Sequence, residues 1–169
     1  MHTFSLKLPY TAQSFQDSAP ALMDKVLLSG YIYTARDLAH RRMLEILARG
    51  ETLPFDLSVT ALYYCGPSPV PPGKICGAIG PTTSSRMDVH TPMLLQHGLK
   101  IMIGKGDRDS SVMNMLKDYE AMYLVTIGGA AALLSQHVKS CEVFCWPELG
   151  TEAVFKLEVI DFPTYIRNL

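Results

Sequence analysis

Apolar and polar positions alternate with period two along Thr3-Phe4-Ser5-Leu6-Lys7-Leu8, the pattern of a half-buried strand, and its place in the chain suits a sheet edge. A polar connector follows. Residues 25–33 are rich in β-branched and aromatic side chains and predict one or two strands. The period then lengthens. Ala35, Leu38, Ala39, Met43, Ile46 and Leu47 recur at helical spacing, Gly50 marks the end, and Thr34 with Asp37 three residues on reads as a capping box that opens the helix.

Residues 60–66 predict a short strand and residues 67–73, with four prolines, a stiff loop rather than a domain linker. Thr91 and Pro92 read as N-cap and first helical residue of a helix reaching Gly98. From there strands and helices alternate. Residues 99–103 form a strand ending in Gly104-Lys105-Gly106. Ser110 or Ser111 caps a helix to Tyr119, residues 122–127 make a buried strand, residues 130–138 a helix, and residues 142–146 and 153–160 the closing strands. The pattern is mixed α/β, with first and last strands that keep the sheet from being purely parallel.

Composition narrows what such a fold can do. The 169 residues suit one domain spanning 1–169, and 15 Lys+Arg against 16 Asp+Glu leave no global field to recruit nucleic acid or an anionic membrane. The longest apolar runs are strand-sized and the N-terminus carries no secretory pattern, so the sequence reads as cytoplasmic. Cys65, Cys76, Cys141 and Cys145 form no C-x-x-C pair and no zinc spacing, which reads as ordinary reduced thiols. The apolar content of 48% is high for a small domain and suggests surface covered by a partner.

Three places carry candidate chemistry. In Gly80-Pro81-Thr82-Thr83-Ser84-Ser85-Arg86-Met87-Asp88, four consecutive hydroxyls precede an arginine, a set that can hold a carboxylate or phosphate and bring a hydroxyl beside a cation. Arg36 falls in the first turn of the first helix, where free amides can share its anion, although a lone surface arginine looks the same. Lys105 sits between two glycines at a strand end, open to close approach, and Gly-Lys-Gly is also a common turn. Neither a Walker A loop nor a dinucleotide fingerprint surrounds it. His40, one turn after Arg36, can orient a ligand, but reads more simply as a solvated helix histidine.

Together with Thr34-Ala35-Arg36-Asp37-Leu38-Ala39-His40, Met102-Ile103-Gly104-Lys105-Gly106, Gly128-Gly129-Ala130-Ala131-Ala132 and Leu157-Glu158-Val159-Ile160-Asp161-Phe162-Pro163, the hydroxyl segment resembles the β subunit, or C-terminal domain, of iron-sulfur hydro-lyases. These are the class I fumarate hydratases and L(+)-tartrate dehydratases. The resemblance implies a swivelling β/β/α domain with a mixed sheet and flanking helices. It implies Thr82 as catalytic base and Arg36, Arg86 and Lys105 as the grip on the substrate carboxylates. It also implies a 4Fe-4S cluster held by a separate α subunit and a four-carbon dicarboxylate substrate, with fumarate/malate favoured over tartrate. Ser85 stands where many relatives have glycine. A homo-oligomer fits the apolar surface equally well, and a non-enzymatic module binding a carboxylate or a partner is the other reading.

Overall fold

A computed structural model describes residues 2–9 and 20–168, so most of the expected polar connector lies outside the described residues. Seven strands and four α-helices follow in the order β1 (Thr3–Lys7), β2 (Lys25–Thr34), α1 (Asp37–Ala48), β3 (Ala61–Tyr63), α2 (Thr91–Gln96), β4 (Ile101–Gly104), α3 (Ser110–Asp118), β5 (Met122–Val125), α4 (Ala131–Leu134), β6 (Val138–Cys145) and β7 (Val154–Ile166). Strands β1 to β5 run parallel in sequence order, and β7 is antiparallel to β2, β5 and β6. Because β7 pairs with both β5 and β2, strands β2, β3, β4, β5 and β7 close into a ring, with β1 and β6 outside it.

The apolar runs of β3, β4 and β5 are buried on both faces, which is why they show no polar alternation. Ala61, Tyr63, Ile101, Ile103 and Leu124 point into one core with Ile32, Leu157, Val159 and Ile166. The residues between them, Leu62, Met102 and Tyr123, enter a second core against Ala39 and Met43 of α1, Leu94 and Leu95 of α2, and Val112 and Leu116 of α3. Each side chain in a strand thus has a fixed side, and a one-residue slip would exchange the two cores.

Several boundaries differ from the sequence expectation, each for a local reason. Thr34 does not cap α1. It is the last residue of β2, and its buried hydroxyl accepts from the Phe155 amide at 3.0 Å and donates to the Ala153 carbonyl at 3.4 Å. The helix therefore begins two residues later than expected, at Asp37, with Arg36 in extended conformation as its N-cap and no side-chain cap. Asp109, not a serine, caps α3 by accepting from the Ser111 amide at 2.8 Å. His90 is the N-cap of α2, with Thr91 and Pro92 inside its first turn. The helix expected over 130–138 shortens to α4 and a 3-10 turn at Ser135–His137, because Val138 already belongs to β6.

Candidate functional site

Strands β2, β3 and β4 are adjacent and parallel, so their C-terminal ends open on one side of the sheet. Ligands in α/β folds collect at such ends. Arg36 follows the end of β2, Lys105 follows the end of β4, and the hydroxyl segment returns between them, where the Thr82 amide bonds the Tyr64 carbonyl at 2.6 Å just beyond β3.

On the β2 side the two arginines meet over one carboxylate. The Arg86 guanidinium donates to Asp37 Oδ2 at 2.7 Å, and Arg36 Nη2 lies 4.0 Å from the same oxygen. Glu152 stands 4.0 Å from Arg36 Nε, too far for a hydrogen bond. Arg36 Nε is buried and has no hydrogen-bond partner among the described residues, a donor left open at a charged site. Its stem crosses Gly66 so closely that a Cβ there would lie 2.9 Å from Arg36 Cδ. Glycine at this position is what lets the guanidinium reach past the end of β3.

On the β4 side the hydroxyl segment is stitched to the lysine loop. Thr83 and Lys105 form a parallel bridge, the Ser84 amide donates to the Lys105 carbonyl at 3.0 Å, and the Lys105 amide donates to Ser84 Oγ at 3.1 Å. Tyr123 Oη lies 2.8 Å from Ser84 Oγ and 2.7 Å from the Gly106 carbonyl. The carbonyl can only accept, so the phenol gives its single proton to Gly106 and receives one from Ser84. Burial raises the Tyr123 phenol to about 12, which keeps that proton in place. Ser84 packs so tightly that a Cβ on Gly104 would stand 2.0 Å from its Oγ. Among the described residues the Thr82 hydroxyl and the Lys105 ammonium are left without a partner, and the lysine stem runs along Gly128.

The structure thus sets Arg36 and Arg86 over Asp37 and ties the segment that carries Thr82 to Lys105 through Thr83 and Ser84. The residue that sequence reasoning missed is Arg108. Its side chain is fully buried; Nε donates to Asp88 at 2.6 Å, Nη2 to Thr91 Oγ1 at 2.6 Å and Nη1 to Tyr64 Oη at 3.1 Å. The guanidinium also lies over the rings of Tyr64 and Tyr123, at 5.4 and 5.2 Å from their centroids. Asp88 completes the tie by accepting from the Asp109 amide at 2.8 Å.

His40 is not solvated, contrary to the sequence reading, but wholly buried against Tyr64, with ring centroids 5.3 Å apart. Its Nδ1 donates to the Arg36 carbonyl at 2.8 Å, which fixes that backbone as the guanidinium leaves it. Burial lowers its pKa to about 4, outweighing the opposite pull of that carbonyl, so the ring is neutral.

No group of three or more His, Cys, Asp and Glu side chains suited to a metal ion occurs among the described residues. The four cysteines are free, and burial raises the thiols of Cys65 and Cys76 and pushes those of Cys141 and Cys145 up to about 11. A cleft of about 560 Å³ beside the proline-rich loop and α4 is lined by none of the four site residues. Val89, three residues after Arg86, Ile127, next to Gly128, and Leu133 of α4 are exposed apolar side chains. No described helix is long and apolar enough to cross a membrane.

Residues 5–167 match the family model described as fumarase C-terminus. The chain is 39% identical over 163 residues to fumarate hydratase 2 of Leishmania major, covering 95% of this chain and 29% of that protein. It is 42% identical over 144 residues to the aerobic class I fumarate hydratase of Escherichia coli, covering 84% of this chain and 26% of that protein. It is also 42% identical over 144 residues to a putative L(+)-tartrate dehydratase subunit beta of Methanocaldococcus jannaschii, covering 82% of this chain and 74% of that protein. The chain therefore spans less than a third of those fumarate hydratases but most of the tartrate dehydratase subunit, and it belongs to the fumarase C-terminus family.

Proposed function

We propose that this chain is the non-cluster subunit of an iron-sulfur hydro-lyase, a swivelling β/β/α domain that works with a cluster-bearing α subunit. Together they would reversibly remove water from a four-carbon 2-hydroxy dicarboxylate, malate/fumarate first and L-tartrate next. The observation that carries the reading is that Arg36 and Lys105 follow the ends of parallel strands β2 and β4 and that the segment carrying Thr82 and Arg86 is held both to Asp37 beside Arg36 and to Lys105, with the Thr82 hydroxyl, the Lys105 ammonium and Arg36 Nε lacking a hydrogen-bond partner among the described residues.

Dehydration begins by taking a proton from the carbon beside a carboxylate, and the negative charge then spreads into that carboxylate. Fixed cations lower the barrier because they already face the place where charge develops. Arg36 and Arg86 offer planar donor forks that suit carboxylates, and Lys105 offers a point charge. Thr82 is the candidate base. A free hydroxyl is a weak base at neutral pH, and the nearby cations favour its deprotonated form. Among the described residues no group of three or more His, Cys, Asp and Glu side chains offers ligands for a 4Fe-4S cluster. That cluster is assigned to the α subunit, which would supply the Lewis acid that hydroxyl departure needs. The exposed apolar residues Val89, three residues after Arg86, and Ile127, next to the Gly128 that the Lys105 stem approaches, support docking of such a partner.

The test is anaerobic co-expression with the cluster-bearing subunit, followed by assay with fumarate, malate and both tartrate enantiomers. Hydratase or dehydratase activity is expected, and Thr82→Ala should lower kcat by about 10²- to 10⁴-fold with substrate affinity largely kept. An active Thr82→Ala complex removes the base assignment. A complex that binds dicarboxylates without turning any of them over favours the non-enzymatic module.

A further inference from the structure

Two arginines sharing one carboxylate is an arrangement that needs a reason at a site meant for another carboxylate. Asp37 is the first residue of α1, so its backbone is fixed by the helix while its side chain reaches out to Arg86 Nη2 at 2.7 Å. The same Oδ2 lies 4.0 Å from Arg36 Nη2. Arg86 itself comes from the 3-10 turn Ser84–Met87, and its side chain remains half exposed. Asp37 is the only ion-pair partner of Arg86 among the described residues. A long exposed arginine without a partner samples many rotamers, and a ligand that uses it must first order it.

We infer that Asp37 is a positioning residue that holds the Arg86 guanidinium in the orientation its ligand needs and ties it to Arg36. The inference rests on the reading of Arg86 as a carboxylate-binding residue. Asp37 occupies a single Nη2 group of Arg86, which leaves the remaining donors of that fork free to face an incoming carboxylate. The shared carboxylate also offsets the repulsion of two guanidinium groups brought to one place, so both can stand ready before any ligand arrives. Glu152 secures the frame from the other side by accepting from the Leu38 amide at 3.3 Å.

Ordering one arginine costs a ligand enough to weaken it by about fivefold to tenfold. Asp37→Asn keeps the shape and removes the charge. In the reconstituted complex it should raise KM for the dicarboxylate by about that factor, with kcat nearly unchanged. Asp37→Glu, which keeps the charge on a longer stem, should recover part of the loss. In an Arg86→Ala background Asp37→Asn should add little, because a residue that acts through Arg86 has nothing left to act on. A second readout uses the chain alone: the Arg86 Nε–H signal in nitrogen-15 NMR should lose its ordered character in Asp37→Asn. An effect of Asp37→Asn that persists in full without Arg86, or an Arg86 signal indifferent to it, overturns the inference. If Arg86→Ala itself leaves KM unchanged, the substrate-binding reading of Arg86 fails first, and the NMR readout still decides whether Asp37 orders that side chain.

Discussion

Two arginine–aspartate pairs lie within the same functional face at nearly the same distance, Arg108–Asp88 at 2.6 Å and Arg86–Asp37 at 2.7 Å, yet they belong to different economies of the molecule. The side chains of the first pair are 0% and 12% exposed, those of the second 52% and 25%. Arg108 spends its donors on Asp88, Tyr64 and Thr91 and is covered by two aromatic rings, so it is consumed by the fold. Arg86 gives one contact and keeps the rest of its fork for something else. Pair length alone does not separate structure from function; burial and the number of donors already spent do.

The difference can be broken most severely at the buried pair. Arg108→Ala should lower stability by about 3–5 kcal/mol in urea unfolding, since it strands Asp88 and unpins the loops that carry Thr82 and Lys105. A loss below about 1 kcal/mol, comparable to a surface pair, would erase the contrast. A smaller effect comes from His40, which packs on Tyr64 beneath Arg108 and holds the Arg36 carbonyl, and so touches both regions. Its folded pKa of about 4 lies below its ordinary value of 6.5, chiefly through burial, with His90 and Arg108 nearby adding to the depression and Asp37 opposing it. The unfolded chain therefore takes up the proton first. His40 should cost about 3 kcal/mol of stability as pH falls from near 6.5 to near 4, and none above that window. Urea midpoints that decline in parallel for wild type and His40→Gln across that range would show the acid sensitivity to lie elsewhere. The smallest change is expected at Arg86→Ala, within about 0.5 kcal/mol of wild type in the same experiment. A larger loss would place Arg86 among the structural residues.

These two regions were unequally legible in the sequence. The hydroxyl run, Arg86, Arg36 and Lys105 stood out because polar residues after apolar runs have no packing role to explain them, and the structure ties the hydroxyl run to Lys105 and sets Arg86 beside Arg36 over Asp37. Arg108 gave no such signal. It sits in a polar turn, and what buries it are Asp88, Tyr64, Thr91 and Tyr123, drawn from three separate segments that no local pattern connects. The four hydroxyls looked alike, yet Ser84 is an internal joint bonded to Tyr123 and Lys105, while the Thr82 hydroxyl has no partner among the described residues. Thr34 looked like a cap because Asp37 follows at capping-box spacing, but pairing with β7 claimed its hydroxyl. His40 shares the inner face of α1 with Ala39 and Met43, and that helical spacing was the available clue to its burial. The Glu152 contacts with Arg36 and Leu38 cross more than a hundred residues of chain, so spacing could not reveal them.

The long strand β7 has a consequence in time as well as in space. It pairs Lys25 with Tyr165 and Val125 with the same residue, so the ring closes only when the last strand described meets the first half of the chain. Strands β2 to β5 can assemble in order as synthesis proceeds, but their open edges stay unpaired until residues 154–166 arrive. Contacts so distant in sequence slow the closure of a fold, and strand edges left unpaired before it are ones that other chains can join. The site-bearing ends of β2, β3 and β4 are thus laid down early and made rigid last.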